Sequence, residues 1–265
     1  MRALVAFILM SILLTSCLKD LRPQAWKDNS AFREAQYQKG KAILEKYAQV
    51  SGQEQWSDIQ SYRIYISDVF FGWRGRMKQP YGQRINQFIL DFYAKENSGT
   101  LLFLNGKKKG MLWGYNEGNT YTKESVNGPI KDVDSKKIKA WIPFYQRFIE
   151  MPFRATAADQ IYHMGEEKYG LYNYDKVYTA WKTEESEQKL EQYVLWVNQS
   201  TGLVDKFQFS SRNQGAVLTG TVIISEQTVY DGVIIPGMFK VYAREGSRQP
   251  LHIIRPHNFQ VVTRE

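Results

Sequence analysis

A single cysteine, Cys17, among 265 residues rules out an intramolecular disulfide, so stability must come from an ordinary buried core. Only three histidines are present, His163, His252 and His257. Asp159 and His163 are spaced to share a helix face, and His163 and Glu166 have a spacing compatible with a metal. No second histidine stands at ligand distance, so this set reads as hydrogen-bonding surface groups rather than a metal or acid–base site. His252 and His257 flank Arg255-Pro256 and read as strand-edge residues. No serine lies in a G-x-S-x-G context, and neither a P-loop nor a dinucleotide fingerprint occurs, so an enzyme has no constellation to stand on and no cofactor is implied. The 35 basic residues exceed the 27 acidic ones, for a formal charge of +8, but the two signs are interspersed. Without a concentrated basic stripe, nucleic-acid binding is poorly supported and a solvated surface is the better reading. The one dense run, Lys107-Lys108-Lys109, follows Asn105-Gly106 and decorates a turn.

The chain also lacks an apolar stretch of the ~20 residues that a membrane-spanning helix needs. Its longest apolar run, Ala3 to Leu14, is broken only by Ser11, follows Met1-Arg2, and gives way at once to small polar residues and charges. Charge, length and flanks are those of a secretory signal. Leu14-Thr15-Ser16-Cys17 resembles the lipobox of bacterial lipoproteins. That resemblance implies removal of residues 1–16, diacylglycerol on the Cys17 thiol and acylation of the new amino group. Residues 17–28 then form the lipidated cysteine and a polar tether, and 29–265 a single domain.

From Asn29-Ser30 the apolar residues fall near helical spacing, through Phe32, Ala35, Ile43, Leu44 and Tyr47, to a stop at Ser51-Gly52. After Trp56 the period becomes two. Strand patterns follow in the stretches 62–67, 85–94 and 99–122, with Asn105-Gly106 predicting a type I′ hairpin. Residues 134–165 interrupt them. An Asp134 or Ser135 cap opens a helix carrying Ile138, Trp141, Ile142, Tyr145, Phe148 and Ile149, with Pro143 as a kink or start and Met151-Pro152 as its end. Strands resume over 171–183, 191–211, 218–243 and 251–262, with turns at Asn198 to Gly202 and Asp231-Gly232. No repeat or linker divides the chain, and runs such as Val194-Leu195-Trp196-Val197 alternate too poorly for a sheet with one wet face.

The order of elements resembles the Lol-type half-barrel superfamily of the outer-membrane lipoprotein carrier and receptor. The stretches 39–56, 62–75, 111–121, 150–167 and 174–212 are similar to a lipoprotein family of Bacteroidetes-type bacteria. The resemblance implies an α+β fold: one open, strongly curved antiparallel sheet, an unclosed half-barrel, with an N-terminal helix and an inserted helical segment over the concave face. It also implies an apolar cavity for an acyl chain, lipid or lipoprotein. Only the lipobox cysteine, Cys17, carries over as a site residue. Leu18 stands where some bacteria use an aspartate to retain lipoproteins in the inner membrane, which favours an outer-membrane anchor facing the periplasm.

Aromatic residues on elements expected to meet are the candidate lining: Trp141, Phe144, Phe148 and Phe153 from the helical insertion, facing Phe88, Phe103, Trp113, Trp196 and Phe207. Asp68, in "SDVFFGWRG", is either a ligand-contacting carboxylate paired with Arg74 or Arg76, or a turn former. The expected activity is non-enzymatic burial of a hydrophobic ligand beside a membrane. The alternative is an anchored interaction or scaffold module whose core is filled by its own side chains; no protein partner is identifiable.

Overall fold

The computed structural model describes residues 20–23, 30–181, 191–211 and 218–262. The expected signal segment and Cys17 lie outside them. Thirteen strands form one antiparallel sheet: β1 (Ser61–Phe70), β2 (Ile85–Tyr93), β3 (Ser98–Phe103), β4 (Leu112–Asn116), β5 (Asn119–Lys123), β6 (Lys131–Asp132), β7 (Gln160–Tyr169), β8 (Tyr172–Trp181), β9 (Glu191–Asn198), β10 (Val204–Ser211), β11 (Leu218–Tyr230), β12 (Val233–Tyr242) and β13 (His252–Val261). The helices among the described residues are α1 (Ser30–Val50), α2 (Gln53–Asp58), α3 (Gly72–Lys78) and α4 (Lys136–Arg154).

The strand order runs β6 to β1, then β13 back to β7. The chain therefore meanders outward from β1 to one edge, crosses over, and meanders back from the far edge until β13 pairs with β1. The crossover is α4. Its rings touch Phe70 on β1 and also Phe207, Phe209 and Phe239 on β10 and β12. Strands from both halves of the sheet reach one helix only if the sheet curves around it, and the edges β6 and β7 stay apart. This is the expected open half-barrel.

The local chemistry explains the elements. On β1 every second residue is buried, from Tyr62 to Phe70, as strand alternation requires. All eight residues of β9 are buried. Its Tyr193, Leu195 and Val197 belong to the concave core, while Val194 and Trp196 belong to a second cluster with Leu21, Tyr162, Tyr174, Tyr178 and Ala180. The poor alternation read in the sequence has this cause: both faces of this half are covered. Leu21, in the stretch expected to be a tether, is part of the outer cover, and its N–H donates to Gln192 Oε1 at 2.8 Å. Asp20 accepts from Gln192 Nε2, and although burial opposes it, hydrogen bonds from Arg22 hold its carboxyl down at about 2.

Several boundaries differ from expectation. The Asn105-Gly106 connection does make a β3–β4 hairpin, but only Gly106 takes positive φ, 73°, while Asn105 is extended at −140°. Asn105 is held extended because its side chain accepts from Gln87 N and donates to Ile85 O. Asp231 and Gly232, with φ 49° and 82°, have the left-handed pair a tight β11–β12 turn needs. α4 passes through Pro143 and Pro152 and ends at Arg154, two residues beyond the expected stop. Its start is as read: Ser135 Oγ accepts from Ile138 N at 3.4 Å. Pro256 fits in β13 because the described pairing with β12 stops at Ile254, leaving this part of β13 paired on the β1 side.

The stretch carrying Asp159, His163 and Glu166 is not helical. From Gln160 onward it is β7, with Asp159 just before it, so there is no helix face for Asp159 and His163 to share. His163 instead meets Asp175 Oδ1 through Nε2 at 2.9 Å and Gln36 Oε1 through Nδ1 at 3.2 Å, joining β8 and α1 to β7. Among the described residues, no group of three His, Cys, Asp or Glu side chains is placed to hold a metal ion.

Candidate functional site

The concave face under α4 is a continuous bed of rings. At one flank Tyr81, Phe88, Phe103 and Trp113 pack together, with Phe88 5.4 Å from Phe103, Phe103 4.9 Å from Trp113 and Tyr81 5.6 Å from Trp141. At the other, Phe144 lies 4.1 Å from Phe148, which lies 4.9 Å from Phe207 and 5.4 Å from Phe239. Toward the far end of α4, Phe153 stacks on Trp56 at 4.3 Å. Eight of the nine aromatic candidates thus join one core. Trp196 does not. It sits on the outer face of β9, where Lys206 Nζ stands 4.0 Å over its ring and Glu167 Oε1 accepts from its indole N–H.

α4 is fastened to the sheet by buried polar contacts as well as by rings. Tyr62 donates to Glu150 Oε1 at 2.9 Å, Gln146 donates to the same oxygen, and Arg154 pairs with Oε2. Burial pushes the Glu150 carboxyl above its usual range, with these three partners opposing it. Arg154 and Gln146 also donate to the Glu96 carbonyl in the β2–β3 turn, each at 2.7 Å. Across the helix Arg147 pairs with the buried Glu191. Burial works against the Arg147 charge, but Glu191 and Tyr193 outweigh it and hold the guanidinium above its ordinary value.

Asp68 is neither a turn former nor a partner of Arg74 or Arg76. It lies inside β1 on the core face, fully buried. Its Oδ1 is 2.8 Å from His252 Nδ1, and its Oδ2 accepts from the Tyr145 hydroxyl at 2.7 Å. Tyr145 in turn accepts from Tyr81, whose oxygen is 2.9 Å away. Burial, reinforced by the nearby Asp68, keeps both phenols protonated far above the usual range, which suits them to donate. His252 is therefore not a surface strand-edge residue: it is 4% exposed and stacks on Phe70 at 4.7 Å. His257 is exposed, on a strand that lies inside the sheet between β1 and β12.

Beside this network, at the rim where β1 ends and β13 begins, is an apolar pocket of about 30 Å³, lined in part by Phe70, Trp141, Phe144, Phe209, Leu251 and His252. A water needs roughly 10–15 Å³ of such space, so the pocket holds little more than one or two atoms of a ligand as it stands. α3 closes its outer side. Gly75 seats directly on the Leu251 carbonyl, where any Cβ would come within 2.3 Å of the oxygen. On the outside of α3, Trp73 and Met77 are 62% and 74% exposed beside Arg74 and Arg76.

Reading the sequence missed the Asp68–His252 pair, whose members are 184 positions apart. One signal was present: Asp68 occupies an inward position in the alternation of Tyr62, Ile64, Ile66 and Phe70, where a carboxylate needs a buried partner.

No protein-family model matches the chain, and no curated protein matches it in sequence. Solved structures do match in shape. A LolA superfamily protein from Nitrosomonas europaea superposes with a TM-score of 0.53 at 13% identity, covering 85% of this chain and 94% of the other. A DUF1329 family protein from Desulfovibrio piger gives 0.52 at 12%, covering 85% and 93%. An outer-membrane lipoprotein-sorting protein domain from Vibrio parahaemolyticus, described as putative, gives 0.51 at 12%, covering 86% and 94%. With the single open sheet and its crossover helix, these likenesses show that the chain has the Lol-type half-barrel fold.

Proposed function

We propose that this chain is a lipid-anchored protein of the cell envelope that binds or hands over a hydrophobic ligand, an acyl chain or the lipid of a lipoprotein, between α4 and the concave face of its sheet. The observation that carries the reading is the run of rings leading inward from the rim pocket: Phe144 and Phe209, then Phe148, Phe207 and Phe239. An acyl chain that displaced this column would meet apolar contacts along its length, each methylene contributing about 0.8 kcal/mol. The description of the Vibrio parahaemolyticus neighbour as a lipoprotein-sorting domain is compatible with such a ligand. Because the rim pocket is small, binding draws on an opened state in which α4 or its rings have moved, and affinity falls with the rarity of that state.

The smallness of the pocket favours a second reading, an anchored scaffold module with a self-filled core. The two separate in a thermal-shift titration of the full chain with long-chain fatty acids. A concentration-dependent rise in Tm supports ligand binding, because a ligand of the native state alone stabilises it by mass action. No shift at any concentration supports the scaffold.

Anchoring rests on the sequence of residues 1–17 and has its own test. Cys17→Ser removes the thiol that would carry the diacylglycerol. One acyl chain holds a protein to a membrane only marginally and two hold it stably, so the variant is expected to leave the membrane pellet for the soluble fraction. Retention of the Cys17→Ser chain in the pellet after a salt wash would remove the lipoprotein reading. The lack of an aspartate after Cys17 supports the outer membrane, with the half-barrel in the periplasm.

A further inference from the structure

We propose that His252 is the head-group contact of that ligand, and that the ligand class is a long-chain carboxylic acid bound with its carboxyl at the rim pocket and its chain along the phenylalanine column. The proposal rests on the reading that an acyl chain lies beneath α4. It starts from an asymmetry in one ring. His252 Nδ1 is taken by Asp68 at 2.8 Å. Nε2 lies on the opposite side of the imidazole, and no hydrogen bond is made to it among the described residues. The ring itself forms part of the pocket wall, stacked on Phe70 and within 5.7 Å of Trp141 and 6.1 Å of Phe144.

Nε2 belongs to a ring in the wall of an apolar pocket and has no protein partner among the described residues, so a ligand that supplies one is favoured over a ligand that does not. With a carboxylate accepting from Nδ1, that nitrogen carries a proton and the imidazole is fixed in orientation; Tyr145 and Tyr81 fix the carboxylate in turn. The free Nε2 then meets a carboxyl group in one of two equivalent ways. A neutral imidazole accepts the acid's O–H, and a charged one donates N–H to the carboxylate, with the same single proton lying between oxygen and nitrogen. An ester offers no proton to the neutral ring and leaves Nε2 unmatched. The site is also open to the chain in the right direction, because Phe144 and Phe209 line the pocket on one side and contact Phe148 on the other.

The test uses the full anchored chain in non-ionic detergent, titrated with hexadecanoic acid and, separately, with its methyl ester, binding being read from tryptophan fluorescence. The acid is expected to bind about tenfold or more tightly than the ester, the ratio a hydrogen bond to a charged or polar buried group gives. His252→Phe is expected to bring acid binding down to the ester's level. Because that variant leaves Asp68 without a partner and can fail to fold, the wild-type comparison decides alone. It is joined by the ¹⁵N resonance of His252 Nε2, which should move on adding acid and not on adding ester. Equal affinities for acid and ester, with an unmoved resonance, overturn the head-group assignment and leave the hydrophobic-ligand reading standing. If neither compound binds, both fall.

Discussion

A Phe148→Ala chain is expected to lose about 3–5 kcal/mol of stability, the usual cost of removing a buried phenylalanine ring. Phe148 is 2% exposed and stands where α4 meets the sheet, touching Phe144, Phe207, Phe209 and Phe239. No neighbour can collapse into the space without leaving its own contacts, so a cavity remains and the cost lies toward the upper part of the range. The same substitution opens the path proposed for the acyl chain. An unoccupied apolar cavity stays dry and accepts apolar guests. The variant should therefore gain more Tm from a long-chain acid than the wild type does, since less ring displacement is needed. Urea unfolding with and without ligand measures both effects. A loss below about 1 kcal/mol would mean that α4 is not the packed crossover described here. A full loss with no added response to ligand would favour the self-filled core.

Asp68→Ala is expected to cost a similar amount, about 3–5 kcal/mol, for an electrostatic reason. Removing the carboxylate leaves the Tyr145 hydroxyl and His252 Nδ1, both buried, without their acceptor. Asp68→Asn keeps one acceptor oxygen and should cost less than the alanine. A measurable loss in Asp68→Asn identifies lost hydrogen bonds as a cause, since asparagine has the shape of aspartate and a purely steric account predicts a loss for the alanine alone. The midpoint of denaturant unfolding at unchanged slope is the appropriate readout. Equal stability of the three chains would contradict the network.

The fold was legible because its signals are local and repeated. Alternation in β1, the Ser135 cap before the Trp141–Tyr145–Phe148 stripe, and Asp231-Gly232 each determine a piece of backbone from a few neighbouring residues. The failures have the opposite character. Residues 160–166 spell an acceptable helix continuation, and only pairing with β8 makes them a strand. Trp196 looked like one more lining aromatic, yet in strand β9 adjacent residues point to opposite faces. Counting parity from Tyr193 would have moved it to the outside. The site was legible as an apolar surface and illegible as a polar one. Asp68, Tyr145 and His252 come from three elements, and nothing in their spacing says that the crossover helix carries Tyr145 to the point where β1 and β13 meet.

The central claim is that the space under α4 exchanges rings for an acyl chain. Native mass spectrometry of the mature chain, purified with its anchor from its own host's membranes, tests it most directly. The account predicts a population carrying one additional non-covalent lipid of fatty-acid type, released by organic extraction and diminished in His252→Phe. A single species at the mass of the anchored polypeptide, unchanged by added fatty acid, would contradict it.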